Sequence, residues 1–305
     1  MPSVSLVIVN YNSSNLVRAL VERLHAHVDE TIVVDNASDE AVDDASLTAH
    51  GAQIVRLARN RGYGGGANAG AAVAHGDVIV FANPDIEVSG EHLAALAQTA
   101  SKPGVGLVAP RYLSPDGTLF RSAHRREPTF VLGVYEACVP LAIRLARRWP
   151  DWHPTLLSTR DHDRTQDVLH VLGALTAVDR GAFAQVGGFD EAFFMYREET
   201  DLCRRFRKRG LRIVHQADCQ AVHQLGGSTP QSWKVYGHPV AVRSHYLYIR
   251  KHWGPLAPVV ARAMVIASLA AWLVAGSNRS LAWAHLRPHL RRTQASARAV
   301  RESTR

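Results

Sequence analysis

Val78-Ile79-Val80-Phe81-Ala82-Asn83-Pro84-Asp85 carries an apolar run straight into a polar tip with no loop between them. An unbroken run of this kind suits a strand buried on both faces of a parallel sheet. Proline cannot donate to a sheet ladder, so Pro84 should end the strand and hold Asp85 just outside it. A carboxylate at the C-terminal end of a parallel strand lies where open α/β sheets bind their ligands. Asn, Pro and Asp are also ordinary turn residues, so the tip by itself equally suits a strand-ending turn.

Upstream, the chain repeats the pattern. A strand over Val4 to Asn10 is followed by the polar cluster Tyr11-Asn12-Ser13-Ser14-Asn15, able to cap a helix, and by Leu16, Leu20 and Leu24 at helical spacing. Thr31 to Asp35 is a second apolar strand, ending in Asp35-Asn36, and Gln53 to Leu57 is a third. Strands alternating with helical patterns read as consecutive βα units, hence an α/β fold with a doubly wound, mostly parallel sheet flanked by helices. Asn10, Asp35, Asn60 and Asp85 each fall at or just past a strand end, and in a parallel sheet those ends share one edge. Convergence of all four on a single crevice is the first sign of a site. The glycine-rich stretch from Gly62 to Gly70 lacks both the dinucleotide fingerprint after a strand and the Gly-Lys-Ser/Thr of a phosphate loop. Its small residues suit close approach to a sugar or diphosphate, and equally a tight turn before a closely packed helix.

Downstream, Ser89 should cap a helix bearing Leu93 and Leu96, and Val105 to Pro110 reads as another strand. Periodicity is poor over residues 122–167, which read as a lid or insertion; His153, Asp161 and His162 there fit solvated or structural roles better than a metal site. Strand character resumes at Val168 to Val178, where Gly173-Ala174 would let a ligand come close. Asp179 should cap the short helix that follows. In Glu198-Glu199-Thr200-Asp201-Leu202 through Lys208-Arg209-Gly210, acids open a helix and bases close it before a glycine stop, matching the macrodipole at both ends. Three carboxylates within four residues exceed what capping needs, because such close like charges repel unless a cation or ligand compensates.

The 305 residues, 47% hydrophobic and 20% charged, exclude a disordered chain. Cys138, Cys203 and Cys219 are scattered and odd in number, which argues for a reducing compartment and against a disulfide framework or zinc site. No charged leader precedes Val4, so a cytoplasmic chain is expected. The net charge of +8 gathers in two places: Arg121 to Arg148, and a tail with Arg279, Arg287, Arg291, Arg292, Arg298, Arg301 and Arg305. No nucleic-acid-binding motif accompanies either cluster, so nucleic acid is not expected as a partner. Ala263 to Gly276 is apolar but short for a membrane span, so an interfacial helix on an anionic membrane surface is expected, with a helix packed on the domain as its rival. The expected organisation is a domain over residues 1–230 and a helical, basic, membrane-associating segment over 231–305.

The ordered set Val7-Ile8-Val9-Asn10-Tyr11-Asn12, Val34-Asp35-Asn36-Ala37-Ser38, Asn60-Arg61-Gly62-Tyr63-Gly64, Asn83-Pro84-Asp85, Gly187-Gly188-Phe189-Asp190 through Asp201-Leu202, and Val222-His223 with Gly226 and Ser228 resembles the inverting family 2 glycosyltransferases of GT-A fold, especially bacterial rhamnosyltransferase-like members. The resemblance spans about residues 3 to 230 and implies a metal-dependent sugar transfer from a nucleoside-diphosphate sugar, with dTDP-rhamnose or a UDP-sugar as donor. The implied acceptor is a polyprenyl-diphosphate-linked or other glycan at the cytoplasmic face of the plasma membrane. By the same resemblance Asp35 contacts the nucleobase, Asn60 and Gly62 line the donor pocket with Asn10 and Asn83, and Asp85 binds Mg²⁺ or Mn²⁺ on the diphosphate with His223 as a second contact. Gly173, Ala174 and Asp201 fall on the acceptor side. Members usually carry Glu-Asp where this chain has Glu198-Glu199, so Glu199 takes the place of the catalytic base, with Glu198 in reserve. The longer Glu would shift the carboxylate by roughly 1 to 1.5 Å. A helix N-terminus is expected to keep both groups ionised. Two further readings stay open: a sugar-phosphate nucleotidyltransferase, which would want a Gly-rich, Arg/Lys-bearing loop where Tyr11-Asn12-Ser13-Ser14 stands, and a degenerate nucleotide-sugar-binding scaffold.

Overall fold

The computed structural model describes residues 1–40, 43–123, 158–224 and 239–275, with backbone alone over 268–275. Most of the expected insertion (124–157), with Cys138 and His153, lies outside the described residues, as do Gly226, Ser228 and the arginines from Arg279 onward.

The first half of the chain runs β1 (Val4–Asn10), α1 (Ser14–Leu24), β2 (Glu30–Asp35), α2 (Asp44–Ala49), β3 (Ala52–Arg56), α3 (Gly62–Ala71) and β4 (Val78–Ala82). These four strands are parallel, in the order β3-β2-β1-β4. Every residue of β1 and of β4 is buried, as the unbroken apolar runs require. Val17, Leu20, Val21 and Leu24 form the inward stripe of α1, and each such fully buried side chain stabilises the fold by about 1.5–3 kcal/mol. Helix α3 lies close on the sheet: a Cβ at Gly66 would come within 2.6 Å of Val9 Cγ1, and one at Gly70 within 2.4 Å of Val7 Cγ1. Two of the five glycines of this stretch, Gly66 and Gly70, therefore serve helix-on-sheet packing.

The second half departs from the expected parallel sheet. After β5 (Ile86–Val88), α4 (Gly90–Ala100), β6 (Val105–Leu113), β7 (Leu119–Phe120) and β8 (Gln166–Val168), strand β9 (Leu175–Asp179) enters antiparallel between β4 and β6. β10 (Arg212–His223) runs parallel to β6 and antiparallel to β5 and β8. The sheet is mixed, in the order β3-β2-β1-β4-β9-β6-β10-β5. Apolar content does not encode strand direction, and a strand buried on both faces reads alike either way. Two helices lie between β9 and β10 in sequence: α5 (Arg180–Gln185), capped by Asp179 as expected, and α6 (Glu198–Lys208), with Leu202 and Phe206 fully buried.

Beyond β10, α7 (Pro239–Trp253) and α8 (Ala257–Ala275) pack on each other through Tyr246, Ile249 and Ala261. Leu256, Val259 and Val260 near the start of α8 are exposed. Among the described residues no helix is long and apolar enough to cross a membrane.

Candidate active site

The register of β1 on β2 sets Asn10 opposite Asp35 at the very end of both strands. Asn10 Nδ2 donates to Asp35 Oδ1 at 3.3 Å and to Ser38 Oγ at 3.0 Å, and Ser38 N returns a bond to Asp35 Oδ1. Asn36 ties the next loop in: its Nδ2 donates to Asn60 Oδ1 (3.1 Å) and to the Gly62 carbonyl (3.0 Å), while its Oδ1 accepts from Arg61 N (2.9 Å). Asn60 Oδ1 also accepts from Gly62 N at 2.8 Å. The Asn36 amide donates to the Asn10 carbonyl at 2.9 Å and joins the two groups, so three of the expected donor residues, Asn10, Asp35 and Asn60, stand in one hydrogen-bonded network, although Asn60 lies beyond the strand end, in the loop before α3. Asn36, visible in the sequence as the amide after Asp35 but given no role there, is its centre.

Gly62 connects this edge to the opposite one. It has φ +74°, and a Cβ there would lie 2.0 Å from the Phe194 carbonyl oxygen, so only glycine fits. The next amide, Tyr63 N, donates to that same carbonyl at 3.0 Å. The Tyr63 hydroxyl donates to the Gly173 carbonyl at 3.3 Å, and its proton affinity is raised by burial and by the charges of Glu198, Glu199 and Asp85. Gly173 also lies against Glu199, so Tyr63 and Glu199 meet at one residue. The motifs gave no sign of Tyr63's part.

The β4 tip behaves as its sequence suggests. Asn83 N donates to the Ala174 carbonyl at 2.8 Å and Ile86 N turns back onto Asn83 O, leaving Asp85 buried just past the strand. Antiparallel pairing of β10 with β5 sets His223 against Ile86, which brings His223 Nε2 to 3.6 Å from Asp85 Oδ1. Asp85 and His223 offer one carboxylate and one imidazole. Among the described residues no cluster of three or more His, Cys, Asp or Glu side chains could hold a metal ion. Such a pair fits a hard divalent ion that takes its remaining oxygens from a diphosphate and water.

Across the crevice, Tyr196 (φ 68°) and Arg197 (φ 70°) are consecutive non-glycine residues in the left-handed region, a conformation costing of order 1–3 kcal/mol each. They turn the chain abruptly into α6, so that Glu198 and Glu199 open the helix at the crevice. Glu198 is buried, and its Oε2 has no hydrogen-bond partner among the described residues. Glu199 is half-buried. Burial, with Glu199 beside it, pushes the Glu198 carboxyl well above its ordinary range, and burial raises Glu199 as well. Both shifts run against the one a helix N-terminus gives by itself: desolvation, and for Glu198 the like charge of Glu199, outweigh the macrodipole.

Two acceptor-side assignments also change. Ala174 is fully buried, and a Cβ at Gly173 would sit 3.0 Å from Glu199 Cβ, so these small residues give Glu199 room to pack. Asp201 is fully buried and held by Arg205 Nε (2.7 Å), Lys251 Nζ (2.7 Å) and His252 Nε2 (2.8 Å). Burial works against its ionisation, but the bonds from His252 and Lys251, with Arg205, bring it down to about 2. With its carboxylate so occupied, it braces α6 and is not left to contact an acceptor. His162 is structural, as expected: it is buried, its Nε2 accepts from Ser122 N and Ala123 N at 3.3 Å each, and its Nδ1 lies 2.8 Å from the Ser158 carbonyl.

Carboxylates gathered on one side of a sheet edge and an amide network on the other are an arrangement for group transfer. Residues 5–187 match the family model "Glycosyl transferase family 2", and the chain belongs to that family. It is 30% identical over 213 residues to an N-acetylglucosaminyl-diphospho-decaprenol L-rhamnosyltransferase of Mycobacterium tuberculosis, covering 65% of this chain and 67% of the relative. It is 24% identical over 244 residues to the rhamnosyltransferase WbbL of Escherichia coli, covering 72% and 83%. Among solved structures it is similar to GalNAc-T7, crystallised with UDP, GalNAc and Mn²⁺, with a TM-score of 0.62 at 14% identity over 98% of this chain and 57% of the other. The chain is a glycosyltransferase of rhamnosyltransferase-like type, and the nucleotidyltransferase reading is set aside.

Proposed function

We propose that the enzyme moves a sugar, rhamnose before others, from a nucleoside-diphosphate sugar to a hydroxyl of a polyprenyl-diphosphate-linked or other glycan acceptor during cell-envelope glycan synthesis. The observation that carries this reading is the adjacent pair Glu198 and Glu199 at the start of α6, the first buried and the second half-buried, both of raised proton affinity. A carboxylate with raised affinity is a better base for an alcohol than one held at its ordinary value. Of the two, Glu199 is the more exposed and is the base, its proton affinity raised by burial; Glu198, buried beside it, is the reserve. As the acceptor oxygen bonds to the anomeric carbon, Glu199 takes its proton and the bond from that carbon to the diphosphate breaks, which inverts the centre.

Asp35 and Asn10 read the nucleobase, Asn60, Gly62 and Asn83 line the donor pocket, and Asp85 with His223 holds Mg²⁺ or Mn²⁺. That cation, when bound, offsets the charge gathering on the leaving diphosphate. The relative's rhamnosyl donor chemistry and decaprenol-linked acceptor, and the Mn²⁺ in the GalNAc-T7 crystals, support these choices. The exposed Leu256, Val259 and Val260, with the arginines beyond Arg279 in the sequence, favour a peripheral seat on an anionic membrane surface, where such an acceptor lies.

The test is turnover of dTDP-rhamnose and UDP-sugars on a polyprenyl-diphosphate-linked N-acetylglucosamine, with Mn²⁺ or with chelator. Wild type should need the metal, and Asp85→Asn should lose both turnover and the Mn²⁺-dependent thermal shift given by the donor. Full metal-dependent turnover in Asp85→Asn would overturn the metal assignment, and an inert wild type would overturn the reaction. Sedimentation with phosphatidylglycerol vesicles, compared between the whole chain and one ending at residue 255, tests the membrane seat; equal sedimentation removes it.

A further inference from the structure

Helices α6 and α7 both lie beyond the residues matched by the family model, yet α7 touches the base-bearing segment repeatedly. Lys251 Nζ donates to Asp190 Oδ2 at 2.6 Å and to Asp201 Oδ1 at 2.7 Å, and it stands 5.7 Å from the centroid of the Phe193 ring. Ser244 Oγ donates to the Met195 carbonyl at 2.7 Å, and Arg197 Nη2 lies 3.4 Å from His245 Nδ1. Asp190 and Asp201 bracket a short stretch holding the left-handed Tyr196 and Arg197 and the acids Glu198 and Glu199. One ammonium therefore joins both ends of the strained turn that aims the acids into the crevice. From the other side, Arg61 and Asn68 bond Glu191 and hold the same stretch against α3.

We infer that Lys251 is a positioning residue for the reaction: by bridging Asp190 and Asp201 it fixes the turn that sets Glu199 against the acceptor hydroxyl. The inference rests on the reading of Glu199 as the base. Charge alone does not explain the contact, because Asp201 already has Arg205 on its other oxygen and His252 on the same one. What Lys251 adds is the link to Asp190. A base displaced by about 1 Å can lose up to 10²-fold in rate, while the donor edge, on β1 and β2, has no part in the bridge.

The experiment is Lys251→Met in the full chain, which keeps an unbranched side chain of similar length and leaves Asp201 paired with Arg205 and His252. The kcat should fall about 10- to 100-fold, with KM for the nucleotide sugar within about twofold, and Lys251→Arg should recover part of the loss. Amide exchange over residues 191–199 should quicken, while that of β1 and β2 stays as in wild type. Unchanged kcat in Lys251→Met overturns the inference, and so does a joint loss of kcat, donor affinity and thermal stability that Lys251→Arg fails to reverse. A wild type unable to turn over any nucleotide sugar would strike the base assignment instead. Exchange over 191–199 would then still decide whether Lys251 holds the turn.

Discussion

Along the donor edge of the crevice, Asn10, Asp35, Ser38, Asn36 and Asn60 satisfy one another in a single network. Along the facing edge, Tyr196 and Arg197 are left-handed, Glu198 has an oxygen without a hydrogen-bond partner among the described residues, and two acids are crowded at one helix start. The first edge is at rest and adds to stability. The second stores unfavourable energy, held in place by Gly62, Gly173 and α7 around it. A site that must bind a nucleotide without rearranging benefits from the first design, and a base that must want a proton requires the second. Substitutions on the two edges should therefore move stability and activity in different proportions.

The largest contrast is expected at Glu199. Glu199→Gln removes the proton acceptor and one of two repelling charges, so kcat should fall about 10²–10⁴-fold, while the thermal midpoint stays or rises. Steady-state rates and a melting curve on the same preparation check both halves. A midpoint lowered by many degrees would mean that the acid is part of the scaffold and that the facing edge stores nothing.

Next in size, Asn36→Ala should show the reverse proportions. It strips three side-chain bonds from the donor edge and leaves Arg61 N and the Gly62 carbonyl without that partner. A loss of about 1–3 kcal/mol in stability follows from unpaired buried polar groups. The KM for the donor should rise more than kcat falls. Denaturant unfolding alongside donor titration measures the two, and a variant as stable as wild type would break the contrast between the edges.

How much of this was legible in the chain follows the same division. The donor edge is built from consecutive βα units, so β1 and β4 could be read from their apolar runs and Asn10, Asp35 and Asp85 from the polar residues that end them. Asn36 was visible as the amide after Asp35, but its partners sit in a loop more than twenty residues on, and spacing alone does not pair them. The facing edge depends on contacts between distant stretches: β9 inserting antiparallel beside β4, Gly173 against Glu199, and Lys251 on Asp190 and Asp201. Local rules even pointed the wrong way there. The helix macrodipole predicts easily ionised acids at 198 and 199, and burial, which sequence does not show, reverses that direction.

The smallest predicted effect separates two acids within α6 itself. Glu198 is raised above its ordinary 4.5, so between 4.5 and its folded value the native state binds more protons than the unfolded chain. Its contribution is fully present below 4.5 and is lost as pH rises through the folded value. Asp201 runs the other way: lowered from 3.8 to about 2, it stabilises fully above 3.8 and stops doing so as pH falls toward 2. A melting-temperature profile against pH should carry both slopes. Glu198→Gln should flatten the decline above pH 4.5 and leave the rise below 3.8 as it was. Lys251→Met, which removes one of the bonds lowering Asp201, should weaken the dependence below 3.8 and leave that above 4.5. If Glu198→Gln leaves the decline above 4.5 intact, that decline belongs to Glu199, and the buried Glu198 carboxyl stores nothing.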